Sequence, residues 1–218
     1  MSEQNNGLAA SPSDWPKALF AVALLFSIFQ IVTAAFHPVS TQVLRAVHVG
    51  FLLLLVFISF PALGKGRPWQ PLAWLLGLAG MATAIYQWYF EADLIQRSGD
   101  LTTGDMIVGL TLIVLVFEAA RRVMGIALPI ICACFLVYGL FGQYLPGDLM
   151  HRGYGLDQIV NQLSFGTEGL YGTPTYVSAT YIFLFILFGA FLEQAGMIKL
   201  FTDFAMGLFG HKVGGPAK

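Results

Sequence analysis

Pro174-Thr-Tyr-Val-Ser-Ala-Thr-Tyr-Ile-Phe-Leu-Phe-Ile-Leu-Phe-Gly-Ala-Phe-Leu-Glu-Gln-Ala-Gly196 is the stretch that decides what kind of molecule this chain is. Residues 176–192 are 17 in a row without a charge, at the short limit of what crosses a hydrocarbon layer of roughly 30 Å. Pro174 suits the first turn of such a helix, because its ring presets φ and its missing N–H has no partner to lose there. Gly189 admits the close approach of another helix, and Glu193 with Gly196 marks the exit into the headgroup region. Beyond that exit Ile198, Phe201, Phe204 or Ala205, and Leu208 recur at helical spacing opposite Lys199, Thr202 and Asp203. The chain is therefore expected to leave the bilayer and lie along it as an amphipathic interfacial helix.

Composition gives the same answer for the whole chain. Hydrophobic residues make up 57% and charged ones 11%, with a mean hydropathy of +0.73; a soluble domain carries about 25% charged residues. The net charge of −1 supplies no basic field for nucleic acid. Cys132 and Cys134 sit two apart in one apolar run, where a helix points them to different faces, so neither a disulfide nor a metal site is expected.

Outward from the deciding stretch, apolar runs recur. Residues 1–17 are polar, rich in Ser, Asn and Pro, and read as a disordered cytoplasmic tail. Residues 18–36 form an uncharged run of 19, longer than the apolar core of a cleaved signal peptide, with only Lys17 before it. His37-Pro38 breaks that helix. A second span is expected over 43–63, with Arg45 and His48 near the interface, then a short basic turn at 64–68 with Trp69 and Trp74 placed as an aromatic belt. A third follows over 72–90. Residues 91–105 read as a polar loop ending on Thr102 or Thr103 as N-cap. The fourth span needs 103–120 to be long enough, and Glu118, Arg121 and Arg122 end it. The fifth, 126–144, contains Pro129, which either kinks it or sits in its first turn. The expected fold is thus an all-α integral membrane protein of about six transmembrane helices, with amphipathic helices on its surfaces.

Charge counting orients those spans. With the N-terminus inside, Lys17, Lys65, Arg67, Arg121, Arg122, Lys199, Lys212 and Lys218 are cytoplasmic, and Arg45, Arg97 and Arg152 are outside. Eight against three is the asymmetry of the positive-inside rule, and it places both termini in the cytoplasm. The longest connection, 145–173, then faces the outside. Within it Leu156, Ile159, Val160 and Leu163 form one apolar face opposite Asp157, Gln158, Asn161 and Gln162, so a short helix over 156–165 is expected to lie on the outer surface.

Motifs of catalysis are missing from the sequence: it has no phosphate loop, no His-Glu-x-x-His and no Gly-x-Ser-x-Gly. His37, His48, His151 and His211 are scattered over four segments and read as interfacial. An enzyme is not expected, and neither catalytic residues nor a metal are assigned. Glu118, Arg121 and Arg122 either pair across helices and fix their docking or simply anchor a cytoplasmic helix end. Glu193 has the same two readings, docking charge or interfacial cap. Phe183, Phe185, Phe188 and Phe191 read as lipid-facing filler.

The C-terminal run also resembles a family. Phe188-Gly-Ala-Phe-Leu-Glu-Gln-Ala-Gly196, an amphipathic helix, then Gly210-His-Lys-Val-Gly-Gly-Pro-Ala-Lys218 resembles the beginning of the large permease component of tripartite ATP-independent periplasmic (TRAP) transporters. Thr167-Glu-Gly-Leu-Tyr-Gly172 and Val177-Ser-Ala-Thr-Tyr181 are similar to the TAXI type, in which small and large membrane components are fused. The resemblance implies a four-helix small-component-like scaffold over 18–122, joined at Arg121-Arg122-Val-Met-Gly-Ile-Ala-Leu-Pro129 to the start of the large component over 123–218. It implies uptake of an organic anion (a 2-oxo acid, a dicarboxylate or a glutamate-like compound) handed over by a periplasmic binding protein and driven by Na+ or H+, with no other cofactor. It also implies further large-component helices beyond Lys218 that carry the substrate and ion sites, so that these 218 residues look like a truncated N-terminal portion. The alternative is a non-transporting membrane scaffold or assembly subunit.

Overall fold

A computed structural model describes residues 17–60, 70–97 and 99–209. The expected tail, the basic turn with Trp69, and the run from Gly210 to Lys218 with His211 lie outside the described residues. The order is α1 (Lys17–Phe36), α2 (Thr41–Ser59), α3 (Gln70–Tyr89), α4 (Glu91–Gln96), α5 (Thr103–Met124), α6 (Ala127–Phe141), α7 (Leu156–Val160), α8 (Thr173–Val177), α9 (Phe183–Gln194) and α10 (Met197–Phe209). Two π-helical turns, Asn161–Phe165 and Ser178–Ile182, extend α7 and join α8 to α9. The protein is all-α and multi-pass.

Among the described residues five stretches, against the expected six, are long and apolar enough to cross a membrane: Lys17–Phe36, Thr41–Ser59, Thr103–Met124, Ala127–Tyr144 and Thr173–Gln194. The expected third span, α3, has the length, 20 residues, and no charge. Its composition is diluted by Thr83, Gln87 and the Trp88-Tyr89 exit, two of which, Thr83 and Gln87, are buried.

Helix ends alternate between two sides. His37 takes a left-handed turn (φ 49°), which lets α1 reverse into α2, and Ser40 caps α2 by accepting from the Val43 N–H at 3.1 Å. Ser40 also donates to Glu91 at the end of α3. Thr102 caps α5 in a reciprocal box with Asp105, and Asp105, fully buried, also accepts from Tyr86 at 2.7 Å and pairs with Arg97 at 3.2 Å. The start of α2, the end of α3 and the start of α5 therefore meet on one side. On the other side Arg122 donates to the Phe60 carbonyl that follows α2, at 3.1 Å.

α2 and α3 form the closest pair, antiparallel and built on small residues. A Cβ on Gly50 would lie 2.8 Å from that of Ala84, one on Gly80 2.8 Å from Leu53 Cβ, and one on Gly77 2.7 Å from Leu54 Cδ1 and 3.1 Å from its Cα. Such close approach is how helices associate where lipid is as apolar as any partner. Around this pair Ala46, Leu53, Phe57, Ala84, Leu112, Leu115 and Ala119 make the core, joining α2, α3 and α5.

Several boundaries differ from expectation for local reasons. α2 ends at Ser59 rather than at residue 63. The loop 91–105 contains α4, whose first turn carries Glu91 and Asp93 where the helix dipole favours them. α5 continues past Arg121 and Arg122 to Met124 and stops at Gly125, φ 83°. Pro129 sits in the first turn of α6, where it removes no helical bond. The sixth span carries a π turn, so it is not the plain α-helix its apolar run suggested.

Candidate functional site

α2 presents Gln42, Arg45 and His48 at intervals of three residues, hence along one face near its capped end. Each of these polar side chains reaches the connection between α6 and the sixth span or the start of that span. The connection begins its ordered part as α7, then widens: the Gly166 N–H bonds to the Asn161 carbonyl five residues back, at 2.8 Å. The wide turn leaves carbonyls for side chains to cap. Gln87 Nε2 of α3 donates to the Ser164 carbonyl at 2.7 Å, and Gln42 Nε2 donates to that of Phe165 at 3.2 Å. Ser164 Oγ in turn donates to the Gly109 carbonyl of α5 at 2.9 Å. Gly109 is required there, because a Cβ would lie 2.5 Å from Val160 Cγ1 and 3.0 Å from Phe165 Cε2.

Farther along, Arg45 Nη1 donates to the Tyr171 carbonyl at 2.6 Å, and its guanidinium lies 4.9 Å from the centre of the Tyr176 ring. The Tyr171 side chain is wholly buried in the α2–α3–α5 core, and that burial pushes its phenol upward from the usual range. A loop tyrosine thus completes the core of a helical unit that precedes it in the chain. Gln42 Oε1, Arg45 Nε and the Tyr171 hydroxyl are buried without a hydrogen-bond partner among the described residues. Such a seam contributes specific docking more than net stability.

A second polar cluster lies deeper. His48, 2% exposed, contacts Gln30 Nε2 of α1 through Nδ1 and the Ser178 hydroxyl through Nε2, the latter at 3.1 Å. Phe26 and Phe183 flank it, their ring centres 4.7 Å apart. His48 is the meeting point of α1, α2 and the sixth span. The seam and this cluster do mechanical work: they fix the connection and the sixth span against the first helices.

The residues singled out from sequence fall in different surroundings. Glu118 accepts from Arg121 at 2.8 Å and from Arg122 at 2.8 Å, both on its own helix. Arg122 alone reaches another helix, through the Phe60 carbonyl and by stacking 4.6 Å from the Phe57 ring centre. Glu193 is exposed, and a Cβ added at Gly189 would meet nothing within 4 Å, so no described helix approaches there. Along 156–165, Leu156 is 47% exposed, Ile159 and Leu163 are half-buried, and Val160 is fully buried. The buried edge is formed by Val160 and Ser164 against α5, so the segment is docked among helices rather than laid on an outer surface. Phe185, Phe188 and Phe191 are exposed while Phe183 packs. Among the described residues no cluster of His, Cys, Asp or Glu has a metal-binding arrangement.

Tyr171 and Ser178 fall inside the two stretches that carry the family resemblance, and Arg45 reads from sequence as an interfacial charge, whereas no motif marks Gln30, Gln42, Gln87 or Ser164. A signal existed for some: Gln30 and Gln87 interrupt apolar runs, and a polar side chain within a span is expected to face other protein. Nothing in spacing marks Ser164 or Tyr171.

Residues 111–218, a little under half of the chain, match the family model described as "Tripartite ATP-independent periplasmic transporter, DctM component". The match starts within α5 and takes in the connection, the sixth span and α10. No curated protein and no solved structure matches the chain.

Proposed function

We propose that this chain belongs to the tripartite ATP-independent periplasmic transporters whose large permease component its second half is similar to, and that it works as their membrane part. The observation that carries the reading is the coincidence of the two halves: the region matching the permease component is sewn by side-chain-to-backbone bonds onto α2 and α3, which precede it. That is how a small scaffold component fused to the large one, the TAXI-type arrangement, would be built. The proposed role is uptake of an organic anion such as a 2-oxo acid, dicarboxylate or glutamate-like compound. A periplasmic binding protein delivers it, and a sodium or proton gradient drives it. Both termini lie in the cytoplasm of a bacterial inner membrane, which puts the seam at the periplasmic end.

Half-helices with free termini near the midplane are what such carriers use to hold anions and cations. The proposed substrate site therefore lies in further large-component helices, not in Glu193 or Gly189. The test is uptake of labelled 2-oxoglutarate or glutamate into proteoliposomes with binding protein and an imposed gradient. Uptake is expected when the remaining large-component helices accompany this chain and not from the 218 residues alone. Gradient-dependent uptake by the 218 residues alone would move the site into this chain; no uptake with the full set of components would favour the non-transporting scaffold.

A further inference from the structure

The sixth span carries an unused degree of freedom. In its π turn the Phe183 N–H bonds to the Ser178 carbonyl, five residues back. Relative to an α-helix such a turn holds one residue too many, and it persists only where something compensates. Two side chains bear on it here. Thr180 Oγ1 donates to the Tyr176 carbonyl, four residues back, at 2.8 Å. The Ser178 hydroxyl meets His48 Nε2 at 3.1 Å, fixing the turn's first residue on α2.

The two sides of the turn are held very differently. Upstream, Arg45 grips Tyr171 and Tyr176, and Tyr171 is buried in the core. Downstream, α9 has no buried residue; Phe183, Leu184 and Leu187 are half-shielded, while Phe185, Ile186 and Phe188 face outward. One end is clamped by hydrogen bonds and burial, and the other is held only by the packing of Phe183 against Phe26 and His48.

We propose that the π turn Ser178–Ile182 is a rotary hinge, held in its wide form by the Ser178 hydroxyl on His48. Conversion of the turn to α geometry advances everything after it by one residue's rotation, about 100°, and carries α9 and the attached α10 around relative to the first helices. The rotation gives up the Ser178 bond to His48 and the packing of Phe183 against Phe26 and His48. The shielded face of α9 then passes from Phe183 and Leu187 to Ile182 and Ile186.

Spin labels placed singly at Ile186 and Leu187 in the full chain, in lipid bilayers, read this through their accessibility to oxygen dissolved in the hydrocarbon. In the unaltered protein the label at 186 is the more accessible of the two. In Ser178→Ala, and more completely in Ser178→Ala combined with Thr180→Val, the order reverses, and Ser178→Thr, which keeps a hydroxyl, restores it. An unchanged order in Ser178→Ala and in the double variant overturns the hinge. A loss of contrast between 186 and 187, with the other labels on α9 equally blurred, also overturns it, because it would mean that the hydroxyl holds the helix together and not its rotation. Ser178→Ala removes one oxygen atom and leaves the clamp at Arg45 and Tyr171 untouched, so the reading does not depend on the harsher variant.

Discussion

α2 and α6 are both apolar enough to cross a membrane, yet α2 buries eight residues and α6 none. The same contrast divides the molecule: α1, α2, α3 and α5 enclose a core, whereas α6, α9 and α10 leave Ile130, Phe135, Phe185, Phe201 and Phe204 more than half exposed. Hydrophobicity does not separate the two regions. In a bilayer lipid competes on equal terms with a neighbouring helix for apolar surface, so helices associate through close backbone approach and through polar side chains. Gly50, Gly77, Gly80 and Ala84 supply the first to α2 and α3, and Gln42, Arg45, Gln87 and His48 supply the second to the connection and the sixth span. α6 has neither.

This difference can be broken with matched substitutions, read as the fraction of monodisperse protein on heating in detergent. Val160→Asp should be the most damaging, by about 3 kcal/mol or more, since it places an unpaired charge in a fully buried position against Gly109. Leu156→Asp on the same helix, at a 47% exposed position, should be close to neutral. Equal effects would mean that the connection is not docked. Next comes Gly77→Val, expected to cost about 1–3 kcal/mol by overpacking, because its Cβ would meet the Leu54 backbone as well as its side chain. Gly189→Val, with open space around it, should be tolerated, and a large effect there would reveal a partner for α9.

Arg122→Leu should come third, at about 1–3 kcal/mol, losing the bond to the Phe60 carbonyl and the stack on Phe57. Arg121→Leu should change little, because that side chain only pairs with Glu118 on its own helix. If the two arginines behaved alike, Arg122 would not be joining helices. The smallest effect sharpens the contrast within one helix: Phe183→Ala should cost about 1 kcal/mol through its lost contact with Phe26, and Phe185→Ala nothing measurable.

Much of the fold was legible in the sequence because it follows from properties that each residue carries alone. Length and sparse charge marked out the helices 17–36, 103–124 and 127–144 to within a few residues, the cap expected at Thr102 or Thr103 falls on Thr102, and Pro174 took its place in a first turn. Of the residues proposed as docking charges, only Arg122 reaches a neighbouring helix. Glu118, Arg121 and Glu193 could not be told apart from it by spacing, since all four are charges near helix ends and only the position of Phe60 distinguishes them.

By itself, then, the sequence determined an all-α membrane protein, the rough bounds of most of its apolar runs, and a resemblance that the match over residues 111–218 supports at the level of the family. Only the tertiary structure decided which of those runs pack and what joins the two halves. Both π turns belong to that second class. A π turn has no periodicity of its own over five residues; it forms because Gln87 and Gln42, or His48, are waiting on other helices for the groups it turns outward. Those partners lie 77 to 130 residues away along the chain, beyond the reach of any local pattern.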